Sequence, residues 1–187
     1  MTSRPGVGGR IWTLSNGLSF MRVLLVYPIT LCLLSEDPGS RITAAGLILL
    51  AGATDFLDGL LARKLDQVSD LGKIIDPIAD KIGIGAVAVV LGLSGAIPLW
   101  FLAAVLVRDL LIFAGGMMVQ RVKGVILQST MTGKWTAGCV ATYILVVVIN
   151  QPAWSLLRDA LEAASVVLMV TSFVIYARRF SSVMRAS

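Results

Sequence analysis

The sequence predicts an all-α integral membrane protein with six transmembrane helices, N- and C-termini cytoplasmic, forming one domain over residues 1–187. Three observations carry this. Of the 187 residues 57% are hydrophobic and 14% charged, and the mean hydropathy is +0.87, far outside ordinary soluble composition. Apolar runs near the roughly 20 residues needed to cross a hydrocarbon core recur near 18–34, 42–62, 74–93, 97–120, 135–150 and 160–177. With the N-terminus in the cytoplasm, Arg63, Lys64, Lys73, Arg121, Lys123, Lys134, Arg178, Arg179 and Arg185 share its side. Only Arg41 and Arg158 fall in the opposite loops, as the positive-inside rule requires.

The first run follows Arg4 and Arg10, is long, and has no small-residue cleavage site after it, so a removable signal peptide is not expected. The outer loops are short: 35–41, with Glu36, Asp37, Pro38 and Gly39, then 94–98 and 150–152. The connections 64–73 and 121–133 are longer and more polar, so function should face the cytoplasm. Gly46, Gly52, Gly83, Gly85, Gly92, Gly115, Gly116 and Gly138 recur through the spans, where small residues let membrane helices approach closely.

The formal net charge of +5 is accounted for by basic residues at helix ends, where they meet anionic headgroups, and implies no nucleic-acid partner. Cys32 and Cys139 lie in apolar runs without metal-site spacing and read as buried hydrophobes. The chain has no histidine. Acid–base chemistry must therefore use carboxylate, lysine or tyrosine.

The most informative stretch runs from Asp55 to Asp80: D-F-L-D-G-L-L-A-R, eight residues, then G-K-I-I-D-P-I-A-D. Each acidic side chain at the centre of a membrane helix costs about 2.5 to 3.5 kcal/mol, so four uncompensated ones would cost on the order of 10 kcal/mol. Bound cations are the natural compensation. On a helix Asp55, Asp58, Gly59 and Ala62 share a face, and Gly72, Asp76 and Asp80 align on another. Hard divalent cations prefer carboxylate oxygen, and Mg2+ is usually held by few carboxylates together with substrate phosphates. A phosphate-bearing substrate follows. Pro77, directly after Asp76, frees backbone carbonyls nearby, an irregularity tolerated at membrane depth where it lines a cavity.

These residues resemble the CDP-alcohol phosphotransferase (CDP-alcohol phosphatidyltransferase) signature, D-x-x-D-G-x-x-A-R, eight residues, G-x-x-x-D-x-x-x-D. All fixed positions are matched, by Asp55, Asp58, Gly59, Ala62, Arg63, Gly72, Asp76 and Asp80, and the six-helix plan resembles the family throughout. The resemblance implies attack of an acceptor hydroxyl on the lipid-side phosphorus of CDP-diacylglycerol, with CMP leaving. It implies Mg2+ or Mn2+, two ions, held by Asp55, Asp58, Asp76 and Asp80, with Asp80 also the general base. It further implies CDP binding by Asp58, Gly59, Ala62, Arg63 and Gly72. Arg63 taken alone reads equally well as a snorkelling interfacial charge.

The acceptor rests on other residues. Arg108 lies inside the fourth apolar run beside Asp109, and Lys134, Arg178 and Arg179 stand where they can gather at the cytoplasmic mouth. A phosphorylated acceptor needs such cations, although positive-inside topology also accounts for the last three. Asn16, Gly17, Leu18, Ser19, Arg22 and Pro28, with Gly133 and Lys134, look like the phosphatidylglycerophosphate synthase branch. Ser15 stands where that branch usually has proline, and Thr136 follows Lys134 without an intervening second lysine. The Arg108–Asp109 pair looks like cardiolipin synthases, which take phosphatidylglycerol, and inositol phosphate is a third acceptor.

The expectation is therefore phosphatidyl transfer to glycerol 3-phosphate at the cytoplasmic half of a bacterial inner membrane. The resemblance and the small-residue faces favour a homodimer embedded among membrane lipids. A cation transporter would also use buried acids, but leaves Gly59, Ala62 and Arg63 unexplained. A purely structural scaffold would leave the carboxylates uncompensated.

Overall fold

The computed structural model describes residues 14–35, 37–65, 85–124 and 130–185, with the side chains of 14–20, 22, 23, 38 and 55–65 outside the description. Among the described residues every regular element is helical: α1 (Leu14–Leu34), α2 (Pro38–Leu65), α3 (85–93), α4 (Leu99–Lys123), α5 (Met131–Ile149) and α6 (Ser155–Arg185), with a 3-10 turn at Pro152–Trp154. Each of the six apolar runs overlaps one of these helices. Three helical segments, Leu99–Lys123, Met131–Ile149 and Pro152–Arg185, are long and apolar enough to cross a membrane. The apolar stretches Leu24–Leu34 and Gly39–Thr54 are shorter. The chain divides into two compact units, Met1–Val87 and Ala88–Ser187.

In the first unit α1 and α2 form a helical hairpin. Helix α2 starts earlier than its apolar run because the turn before it is a cap. Pro38 occupies the first position, where a missing N–H costs no hydrogen bond, and the Asp37 carboxylate accepts the Ser40 N–H at 3.2 Å, the usual role of an N-cap aspartate. Ile29 and Leu33 of α1 and Ala44 and Ala45 of α2 are buried.

In the second unit, α3 ends in a Schellman motif. Gly95, at φ +73, donates its N–H to the Gly92 carbonyl, and the Ala96 N–H reaches the Leu91 carbonyl at 2.9 Å. Helix α4 closes on Gly124 at φ 66, and α5 is capped by Thr130 at one end and by Asn150 at φ 51 at the other. Helix α5 runs antiparallel to α6: the Thr136 hydroxyl lies 3.1 Å from the Leu168 carbonyl, Ser165 donates to Cys139 Sγ at 3.3 Å, and Tyr143 donates to Glu162 at 3.0 Å. Helix α4 runs parallel to α6, with Arg108 beside Ser172 and Ile112 beside Tyr176. Both cysteines are free. Phe101 and Tyr143, 2% and 1% exposed, pack with ring centroids 4.8 Å apart. Leu106, Leu110, Leu111 and Met118 of α4 face outward, as in a helix solvated by lipid.

Candidate functional site

Helix α2 continues unbroken to Leu65, so the first half of the acidic motif is helical backbone. Asp55, Asp58, Gly59 and Ala62 therefore keep the three-, four- and seven-residue register of one helical face, and Arg63 follows in the last turn. Gly72, Asp76 and Asp80 lie outside the described residues, as do the side chains of Asp55, Asp58 and Arg63. Oxygen donors at this spacing, in a chain without histidine, fit a hard divalent cation better than a transition metal that prefers nitrogen or sulfur.

Of the expected acceptor group, the second unit buries Arg108 between helices. Arg108, ten residues into α4, has a side chain only 16% exposed. Its Nη1 donates to Asp109 Oδ1 at 2.7 Å and its Nη2 to Ser172 Oγ on α6 at 2.8 Å. Its Nε is buried and has no hydrogen-bond partner among the described residues. A Cβ built on Gly133, in the first turn of α5, would stand 3.8 Å from Arg108 Nη2 and 3.2 Å from Thr130 Oγ1. The start of α5 thus lies beside the guanidinium.

Thr130 Oγ1 accepts the Gly133 N–H at 3.1 Å and lies 3.0 Å from Thr132 Oγ1. The resulting ensemble is a buried cation beside the positive end of a 19-residue helix, with one carboxylate, Asp109, as its charged partner. The positive helix end adds to the guanidinium charge, so the local balance favours an arriving anion.

Lys134 is exposed one residue past Gly133. Arg178 and Arg179 are exposed on α6, six and seven residues past Ser172, a rise of about 9 to 10 Å along the helix. Among the described residues no hydrogen bond or ion pair joins these three to Arg108. Ser172 was not singled out from sequence. Its available signal is a seven-residue spacing from Ser165, which puts two hydroxyls on one stripe of the mainly apolar middle of α6; Ser172 and Ser165 are both buried, at 1% and 0% exposed.

Among the described residues the protein is all-helical, with membrane-length helices, the first half of an acidic motif on α2 and a buried arginine beside a helix start. The chain belongs to the CDP-alcohol phosphatidyltransferase family, whose description matches residues 12–176. It is 32% identical over 170 residues, 89% of this chain and 77% of the relative, to a Mycobacterium tuberculosis protein named as a probable phosphatidylglycerophosphate synthase. It is 35% identical over 103 residues, 55% of this chain and 48% of the relative, to another protein of that organism with a provisional cardiolipin synthase name. A Rickettsia bellii protein named CDP-diacylglycerol--glycerol-3-phosphate 3-phosphatidyltransferase is 41% identical over 78 residues, 42% of this chain and 43% of the relative. The chain thus spans about half the length of several curated relatives it matches.

Proposed function

We propose that this protein transfers a phosphatidyl group from CDP-diacylglycerol to the hydroxyl of glycerol 3-phosphate and releases CMP, a step of phospholipid biosynthesis. The observation that carries the proposal is the complete eight-residue signature from Asp55 to Asp80, in a chain whose family match covers nearly its whole length. In this reading Asp58, Gly59, Ala62, Arg63 and Gly72 bind the CDP moiety. Asp55, Asp58, Asp76 and Asp80 hold Mg2+ or Mn2+, two ions, which when bound neutralise the pyrophosphate and steady the attacking and leaving oxygens. Asp80 takes the proton of the acceptor hydroxyl as its oxygen bonds to the lipid-side phosphorus and the bond to CMP breaks. Arg108, Lys134, Arg178 and Arg179 receive the acceptor's phosphate.

The proposal extends to six membrane spans in one domain with both termini cytoplasmic, in a bacterial inner membrane, and to a homodimer. Relatives named for both phosphatidylglycerophosphate and cardiolipin synthesis make phosphatidylglycerol the second acceptor to test.

The test is CMP release from CDP-diacylglycerol by purified protein with Mg2+. Glycerol 3-phosphate, phosphatidylglycerol, inositol phosphate and serine are offered in separate reactions, and products are read by mass. Release with glycerol 3-phosphate alone supports the proposal. Release with another acceptor alone keeps the chemistry and replaces the acceptor. No release from folded protein overturns the donor assignment. CDP-dependent protection from thermal unfolding in the presence of Mg2+ separates the enzyme from a cation transporter, which has no reason to bind CDP.

A further inference from the structure

We infer that Ser172 is a positioning residue for the acceptor's phosphate, acting by holding the Arg108 guanidinium; the inference rests on the acceptor reading proposed above. Ser172 is 1% exposed, and its hydroxyl is committed in both its capacities. It donates to the Met169 carbonyl at 3.0 Å and accepts from Arg108 Nη2 at 2.8 Å. Because its hydrogen is directed to the backbone of α6, the oxygen lone pairs are left for the guanidinium.

Arg108 is tied at two nitrogens, by Ser172 across the helix pair and by Asp109 on its own helix at 2.7 Å. Two anchors fix the plane of a rigid five-donor fork. A single anchor would leave it free to swing. These two bonds use two of the five N–H groups, and Nε, though buried, has no partner among the described residues. Donor capacity is therefore held ready beside the first turn of α5. The division of labour follows from charge: Asp109 partly offsets the cation, whereas neutral Ser172 orients it without reducing its attraction for a phosphate.

A simple interhelical hydrogen bond predicts lost stability alone, while a positioning role predicts a selective loss of acceptor affinity. The test uses the full chain in detergent or nanodiscs, measuring KM for glycerol 3-phosphate, KM for CDP-diacylglycerol, kcat, and competitive inhibition by inorganic phosphate. Ser172→Ala is expected to raise the acceptor KM about tenfold, the scale of one lost charge-assisted hydrogen bond, and to weaken phosphate inhibition in proportion. The donor KM and kcat should stay within about twofold, and Ser172→Thr should restore the acceptor KM by returning the hydroxyl. Ser172→Cys, which keeps the volume but is a weak acceptor, should show the same selective rise if the alanine variant does not fold.

If both variants leave the acceptor KM unchanged while Arg108→Lys raises it, Ser172 is not a positioning residue and the acceptor reading stands. If Arg108→Lys also leaves it unchanged, the acceptor reading itself fails. Equal loss in kcat and both KM values, with a lowered unfolding midpoint, assigns Ser172 a structural role and overturns the inference.

Discussion

Tyr143 and Glu162 are joined across α5 and α6: the phenol donates to the Glu162 carboxyl at 3.0 Å, with Tyr143 only 1% exposed. A phenol buried without its partner, or a carboxyl left without its donor, loses hydrogen bonding that lipid cannot return. Tyr143→Phe should therefore lower stability by about 1 to 3 kcal/mol, read as a drop in the unfolding midpoint in detergent. Glu162→Gln should recover part of the loss in a double-mutant cycle. Additive effects of the two substitutions would show that the contact contributes nothing.

At Gly115, α4 packs tightly against Tyr176 of α6. A Cβ there would lie 3.0 Å from the Tyr176 hydroxyl oxygen and 3.2 Å from its Cε1, and that hydroxyl donates to the Ile112 carbonyl at 2.7 Å. Gly115→Ala should push Tyr176 off this bond and destabilise by about 1 to 3 kcal/mol. Gly138→Ala has no neighbour within 4 Å and should be neutral or mildly stabilising through helix propensity. Equal effects on the two midpoints would refute the close approach.

Removal of divalent cations by chelation should abolish CMP release, and addition of Mg2+ or Mn2+ should restore it. Asp80→Asn should keep CDP binding, measured by calorimetry, while turnover falls by about 10²- to 10⁴-fold, the usual contribution of a general base. Parallel loss of binding and turnover would remove the base assignment and leave Asp80 as a ligand.

Thr130 caps α5 through the Gly133 N–H at 3.1 Å. Thr130→Ala should cost about 1 kcal/mol of stability, and Thr130→Ser, which keeps the accepting oxygen, should cost less. Circular dichroism melts of the two variants distinguish capping from loss of the Thr130 methyl group.

Much of the molecule was legible in one dimension because its determinants are local. Each of the six apolar runs overlaps a helix among the described residues, since an apolar run of sufficient length needs a helix to satisfy its backbone in lipid. The boundaries moved where short-range hydrogen bonding decided them: α5 starts at Met131 because Thr130 caps it, and α2 starts at Pro38 because Asp37 does. The acidic signature was equally readable, since a fixed spacing of residue types is a property of the chain itself. Arg108 drew notice because charge is costly inside an apolar run.

Ser172 drew none, because a serine in an apolar helix is ordinary until its neighbour is known. The sequence by itself determined the helical composition, the family signature and the candidate cations. Only the tertiary structure decided that Arg108 is anchored by a residue 64 positions away, that the first turn of α5 lies beside it, and that Tyr143 finds Glu162. Such pairings depend on which faces of packed helices meet and at what height, and no periodicity within a single helix encodes that.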